Sequence, residues 1–494
     1  MKKSSAIQIS RRKFLKTAGC LTVGFSIINN GMAFTEGNFL DEELPRSIKQ
    51  QPKINAWIEI LEDGKVQILT GKMELGQGIR TAIAQVAADE LDMNLNLVSV
   101  HLAETGRTPH EGYTAGSGFI ENSAMSVRYA AASARQKLLQ LAANKLKVDP
   151  GQLVLENGEV KLKGKNITLS FFEILEGKQI EDKVRLPVKL KPRDQYRLVG
   201  KAIPRKDIEK MVRGEQIYVQ DLRFDSMVHA RVIRPKGYKD RLKKLEEKQL
   251  HEQVPGILKV VVDGNFLGVI AKDEFQAVKA QRFLHQYTQW EILESLPTKQ
   301  SLRDYIKSLP AESENVVEKG SVNNHFDDAA LSVKVSYYKP YVMHASIGPS
   351  CAVALYDKEV LQIWTHSQGV YPLRESLKKM LKMTEEQLHI IGVPGSGCYG
   401  HNGADDVAAD VALLAKAYPG KHVRLQWSRE DEHGWEPYGS AMEMALEASL
   451  DHNGKIKAWK YDLWSDSHST RPGGDAANLL AARYLKDPFE MSSS

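Results

Sequence analysis

The chain has 494 residues, 42% hydrophobic, 26% charged and 7% aromatic, which allows several cored domains and excludes a disordered, collagen-like or multi-span membrane chain. Its formal charge of +5 is local: Lys2, Lys3, Arg11, Arg12, Lys13 and Lys16 share residues 1–33 with no acid, and taking these six from the 67 bases leaves 61 against 62 acids. The body therefore has no net basic footprint for nucleic acid. Cys20, Cys351 and Cys398 make no CxxC pair, too few thiols for an iron–sulfur cluster, which takes about four. Cys351 and Cys398 are read as free thiols.

In chain order, Ser10-Arg11-Arg12-Lys13-Phe14-Leu15-Lys16 precedes an apolar run, Ala18 to Ile28, and small residues up to Ala33. The run is too short for a membrane span of ~20 residues, and the segment resembles a twin-arginine export signal. Residues 1–33 are read as that leader, with a periplasmic destination and a cofactor inserted before export. Residues 34–52, polar with Pro45 and Pro52, read as a linker. A first module over 53–177 opens with a hairpin, Ile54–Ile60 and Lys65–Leu69 about Asp63-Gly64. A helix at Thr81–Leu91, a strand at Leu97–Leu102 and a long helix at Asn122–Leu146 follow. Asn157-Gly158 marks a second hairpin. The charged stretch 178–195 is a boundary. A second module over 196–291 has strands at Met227–Ile233, Leu258–Val262 and Leu267–Ile270 and a helix from Glu274. Residues 292–327 read as a linker. A third module over 328–494 has strands at Leu331–Tyr338, Ala352–Tyr356, Val360–Trp364 and Val423–Trp427, with helices at Arg374–Lys382 and Ala404–Ala417. Interleaved strands and helices give an α+β class.

Three segments are unusual. Gly71-Lys72-Met73-Glu74-Leu75-Gly76-Gln77-Gly78 enters a helix, where glycines let main-chain N–H groups approach an anion; a plain turn accounts for it as well. Tyr113-Thr114-Ala115-Gly116-Ser117-Gly118 suits a phosphate or a helix cap. Five glycines fall in the twelve residues 392–403, as where main chain passes close to something, or as in a flexible loop. Walker and GxGxxG templates do not fit.

Together, residues 71–91, 107–117, 196–235, 363–377 and 393–415 resemble the large subunit of the molybdenum hydroxylases, within the xanthine dehydrogenase/aldehyde oxidase superfamily and nearest the isoquinoline 1-oxidoreductase β-subunit type. The resemblance implies an α/β hammerhead domain over 196–291, and molybdopterin-binding segments over 53–177 (permuted to the N-terminus) and 328–494. It implies oxidation of an N-heteroaromatic compound or aldehyde with a molybdenum–molybdopterin cytosine dinucleotide, no protein metal ligand, a separate [2Fe–2S] subunit and cytochrome c as a possible acceptor. Gly76, Gln77, Gly78, Thr114, Ala115, Gly116 and Ser117 would contact the pterin and its phosphates. Gln368 would hydrogen-bond an oxygen on molybdenum; a solvent-facing loop glutamine is the rival reading. Gly395, Ser396, Gly397, Cys398, Tyr399 and Gly400 would form the loop beside the metal. His344, His366 and His401 are read as ordinary structural histidines. The family's glutamate base, in a Gly-Glu-Pro motif, has no counterpart: Gly434-Trp435-Glu436-Pro437 falls in the wrong place and is not assigned. The alternative is therefore a truncated, inactive remnant or half of a split subunit.

Overall fold

The computed structural model describes residues 44–215, 217–293, 302–322, 325–326, 329–466 and 470–491. The leader expected at 1–33 lies outside the described residues. Strands β1 (Ile58–Ile60) and β2 (Val66–Leu69) pair antiparallel through the expected turn, and β3 (Val98–His101) lies parallel to β2. The crossover between them is the helix Ile79–Glu90. Against it packs the helix Met125–Leu146, whose Val127, Ala130, Ala131, Ala134, Leu138 and Ala142 are buried. Its alanines bring the two helix backbones close, which larger side chains would prevent. The second hairpin joins β4 (Leu153–Glu156) to β5 (Glu159–Leu162), with β6 (Thr168–Ser170) alongside. Asn157 and Gly158 both have positive φ, the conformation a two-residue hairpin turn requires.

The expected linkers are more structured than their polarity implies. Within 34–52, Arg46–Gln50 is a helix that buries Ile48. The boundary 178–195 buries Ile180, Val184 and Val188 in the first core. Three apolar residues among many charges are enough to anchor such a segment. Within 292–327, Leu302–Ser308 is a helix that buries Ile306, and its Arg303 bonds the Glu443 carboxylate at 2.6 and 2.8 Å.

The larger difference is in the middle of the chain. Strands β7 (Val228–Ile233), β9 (Ile257–Asp263) and β10 (Phe266–Ala271) join β13 (Cys351–Asp357), β14 (Val360–Thr365), β15 (Leu388–Gly392) and β16 (His422–Gln426). They form one seven-stranded sheet in the order β15-β14-β13-β16-β7-β10-β9. The joint is a parallel pairing of β16 with β7, Val423 opposite Val228. Residues 196–291 and 328–494 thus share a sheet, a pairing across a long connection that local patterning cannot reveal. β8 (Arg241–Lys244) and β11 (Gln289–Glu291) make a ribbon. A separate antiparallel sheet holds β12 (Leu331–Lys339), β17 (Met442–Leu450) and β18 (Ile456–Ser465).

The helix Ala404–Ala417 lies on the large sheet, buried over most of its length. Gly268 of β10 faces it; a Cβ there would sit 2.6 Å from Leu414 Cδ2. Deep in this layer Arg234 meets Asp410 at 2.7 and 2.9 Å, and the same carboxylate accepts from Trp427 Nε1 at 2.9 Å. The guanidinium also lies over the Trp427 ring, 4.8 Å from its centre. Removing one partner of a buried pair strands the other charge. Asp410→Ala is expected to lower unfolding free energy by about 3–5 kcal/mol, measured by urea denaturation; a loss below about 1 kcal/mol, the level of a surface pair, would contradict this account.

Candidate functional site

The loop after β2 is tied to the loop at 108–117 by buried groups. The Glu111 carboxylate accepts from Thr70 Oγ1 at 2.7 Å, from Gly71 N at 2.9 Å and from Ser123 Oγ. Lys72 Nζ donates to the carbonyls of Glu111 and Tyr113 at 2.7 and 2.8 Å, and burial lowers its pKa. Gly71 has no room for a side chain: a Cβ would lie 2.1 Å from the Pro109 carbonyl oxygen. Met73 N donates to Thr114 Oγ1 at 2.8 Å, which places Thr114 at the centre of the assembly.

Thr114 is joined to Gln368 twice. Thr114 N donates to the Gln368 carbonyl, and Gln368 Nε2 donates to the Thr114 carbonyl, both at 2.8 Å. Gln368 is buried, so the solvent-facing reading of this residue is overturned. Gly369 admits the Tyr113 ring, whose Cδ1 would be 2.6 Å from a Cβ. A strap at 470–478 closes on the same junction. Arg471 donates to Gln368 Oε1 at 2.6 Å and lies over the Tyr113 ring, Gly473 N donates to Tyr113 Oη at 2.7 Å, and Asn478 Nδ2 holds the Arg471 carbonyl at 2.9 Å. Ala115, Gly116 and Ser117 are exposed beyond it.

The Gly76-Gln77-Gly78 end behaves differently from the expectation. Gly76 N and Gly78 N donate to Glu74 Oε1 at 2.9 Å each, and Arg80 N donates to Glu74 Oε2 at 3.2 Å. Gln77 folds onto its own loop, accepting from Leu75 N at 2.6 Å and donating to the Met73 carbonyl at 3.2 Å. The helix entrance thus holds an anion already, the carboxylate two residues before Gly76. A buried carboxylate satisfies amides at a helix start as a phosphate would.

The third loop's glycines answer to neighbouring side chains. A Cβ at Gly392 would meet Met73 Sδ at 2.3 Å, at Gly395 the His366 ring at 2.5 Å, at Gly400 the His344 ring at 2.1 Å, and at Gly403 the Trp427 ring at 2.4 Å. What the bare main chain passes close to here is protein. Gly397 and Tyr399 have positive φ, and Tyr399 projects into solvent. Cys398 is buried and donates to the Gly400 carbonyl at 2.9 Å; burial pushes its thiol pKa up. Cys351 and Cys398 are both free thiols. Ser396 Oγ is buried without a hydrogen-bond partner. His366 is fully buried and held neutral, its pKa lowered to about 4 by burial. Among the described residues, no group of three or more His, Cys, Asp or Glu is arranged to hold a metal ion. A cavity of about 550 Å³ opens beside Lys72, Glu111 and Gly112, walled also by Arg46, Gln50 and His110.

Several participants escaped the sequence reading: Glu74, Glu111, Lys72, Tyr113 and Arg471. Glu74 and Lys72 lie inside the motif that drew attention to its glycines, and charged residues flanking such a loop are the one signal that could have found them. Behind the third loop lies another unforeseen group. Glu432 accepts from Ser350 N and Oγ at 2.8 and 2.9 Å. Glu436, one turn later, accepts from His344 N and Ala345 N and leaves Oε2 buried and unpartnered. Burial, with the neighbouring Glu436 carboxylate adding to it, pushes Glu432 up to about 7. Glu436 thus holds the backbone at His344 and Ala345.

Comparison with known proteins finds the molybdopterin cofactor-binding domain twice, over residues 4–203 and 308–492. The B subunit of nicotinate dehydrogenase from Pseudomonas putida is 37% identical over 83% of this chain and 35% of its own length. The β-subunit of isoquinoline 1-oxidoreductase from Brevundimonas diminuta is 25% identical over 94% of this chain and 65% of its own. The aldehyde oxidoreductase structure from Desulfovibrio gigas aligns at 17% identity with TM-score 0.46, over 72% of this chain and 39% of that one. The chain thus spans between about a third and two thirds of the length of these curated relatives.

The buried carboxylate pair gives a pH prediction. Folded Glu432 keeps its proton up to about 7, whereas the unfolded side chain loses it near 4.5, so its contribution is full below the lower value and is lost as pH rises through the higher. Glu432→Gln is expected to gain stability over the parent as pH rises from about 5 to about 8, by on the order of 2 kcal/mol, in thermal melts across that range. A difference that does not grow with pH would contradict the assignment.

Proposed function

The chain belongs to the molybdopterin cofactor-binding oxidoreductase family, and we propose that it acts in a molybdenum hydroxylase that oxidises an N-heteroaromatic compound or an aldehyde, with the cofactor seated at the Thr114–Gln368 junction. One observation carries the reading: two segments far apart in sequence, one in each matched cofactor-binding domain, exchange buried hydrogen bonds there. The residues present fit such a guest. Gly112 and Gly116 have open space where a Cβ would stand, so their main chain can be approached closely. Ser396 Oγ is an unused buried hydroxyl.

When bound, the molybdenum–pterin group supplies the oxidation of a carbon next to nitrogen, or of an aldehyde carbon. The chain's own residues bind and orient. Gln368 Nε2 has spent one hydrogen on Thr114 and keeps the other to donate. Ala115, Gly116 and Ser117 offer main chain to phosphates, while Gly76 and Gly78, occupied by Glu74, contribute shape rather than free donors. Burial holds the His366 imidazole and the Cys398 thiol of the third loop in their neutral forms.

We assign the finer features on the same reading: the cytosine dinucleotide form of the cofactor, a hammerhead domain over 196–291, and a separate [2Fe–2S] subunit with cytochrome c beyond it. The partner rests on the cysteines, since Cys351 and Cys398 cannot make a cluster. A periplasmic site rests on the basic, acid-free residues 1–33. The nicotinate dehydrogenase and isoquinoline 1-oxidoreductase relatives, by name, act on N-heteroaromatics, which favours that substrate class.

Protein purified with its partner subunits is expected to contain stoichiometric molybdenum by elemental analysis and a fluorescent pterin after oxidation. Gln368→Ala should lower turnover roughly 10–100-fold with the fold intact. Molybdenum-free parent protein from a molybdenum-replete host would overturn the proposal.

A further inference from the structure

The Gln368 amide sits between two groups of opposite and fixed character. At one end Arg471 donates to Oε1 at 2.6 Å, and a guanidinium can only donate. At the other end Nε2 donates to the Thr114 carbonyl at 2.8 Å, and a carbonyl can only accept. A glutamine amide has two nearly isosteric orientations, and its neighbours decide between them. Here both ends agree. Turning the amide over would set its N–H groups against the guanidinium and its oxygen against the Thr114 oxygen.

Arg471 is itself held. Its carbonyl accepts from Asn478 Nδ2 at 2.9 Å, its guanidinium lies 5.2 Å from the centre of the Tyr113 ring, and the next turn of the strap reaches Tyr113 Oη through Gly473 N. Tyr113 in turn packs against Gly369, the residue after Gln368. Thr114 is fixed by Met73 N and by its own N–H on the Gln368 carbonyl. The lock therefore has a rigid wall on each side.

We infer that Arg471 is a positioning residue, which fixes the flip of the Gln368 amide so that its remaining N–H, and not its oxygen, faces the site. It rests on the reading of Gln368 as a cofactor contact. The consequence is selective: an amide fixed this way donates to an electron-rich oxygen on the guest and repels nothing there, whereas a freely flipping amide would present a repulsive oxygen part of the time.

The test separates this inference from the reading beneath it. In protein labelled with 15N-glutamine, the Gln368 side-chain pair is identified by its absence in Gln368→Leu. In cofactor-free parent protein, that pair should be resolved and slow to exchange with solvent. Arg471→Lys, still donor-only, should keep it. Arg471→Met, which removes the anchor, and Arg471→Glu, which sets acceptors at both ends, should lose the protection. The parent and the three Arg471 variants, prepared with partner subunits and dialysed, are assayed for molybdenum and pterin per chain. Retention should fall roughly 10–100-fold in Arg471→Met and Arg471→Glu and stay near the parent level in Arg471→Lys. Gln368 signals or cofactor retention that do not change across the series would overturn the positioning role, and so would an Arg471→Lys protein as impaired as Arg471→Met. A parent protein with the protected pair but no molybdenum would instead refute the cofactor reading and leave the lock as a structural feature.

Discussion

Two hydrogen bonds between Thr114 and Gln368, residues 254 apart in sequence, hold the two matched cofactor-binding segments in one register. Their direct worth is small, about 1 kcal/mol each once exchange with water is counted. Their importance lies in what a mismatch would cost, because both residues are buried and an unpaired amide there forfeits its hydration. Most of the neighbouring detail serves this contact. Glu111 and Lys72 shape the loop that delivers Thr114, Gly369 lets Tyr113 in beside it, and the 470–478 strap closes over it. A buried polar contact of this kind specifies one arrangement of two segments more than it adds stability.

Internal carboxylates are the second recurring device. Glu74 takes the amides at one helix entrance, Glu111 those of the preceding turn, Glu436 those of His344 and Ala345, and Asp406 accepts from Leu480 N at 2.7 Å. Burial raises Asp406 to about 6 and Glu432 higher still. Irregular backbone needs acceptors for its N–H groups, and this molecule supplies them from side chains within a few residues or across one packed layer. The glycine turns that look ready for a phosphate are in part already occupied, which is why the anion contacts proposed above are confined to the exposed 115–117 stretch beyond Thr114.

Local elements were largely legible from the amino-acid sequence. The helix Ala404–Ala417 has the bounds read for it from the sequence, and the hairpin at Asn157-Gly158 follows from turn chemistry alone. The segment carrying Thr114 was also legible, because small residues and glycines beside a helix start suit a ligand or a cap, whereas Gln368 was reached only through the family resemblance. Three things were not. The pairing of β16 with β7 joins strands almost two hundred residues apart, which no local period encodes. The glycines at 392–403 read as a cradle, yet Met73, His366, His344 and Trp427 fill the space beside them. Arg471 carries no pattern of its own; it matters only through the partner that folding brings to it.

If both matched segments close on one guest at this junction, loading the cofactor must change them together. Hydrogen–deuterium exchange of the purified complex, with and without its molybdenum cofactor, tests this most directly. Peptides covering 111–118 and 366–371 should become protected together on loading, while β4 and β5 stay unchanged. Protection of one peptide alone, or of neither, would contradict it.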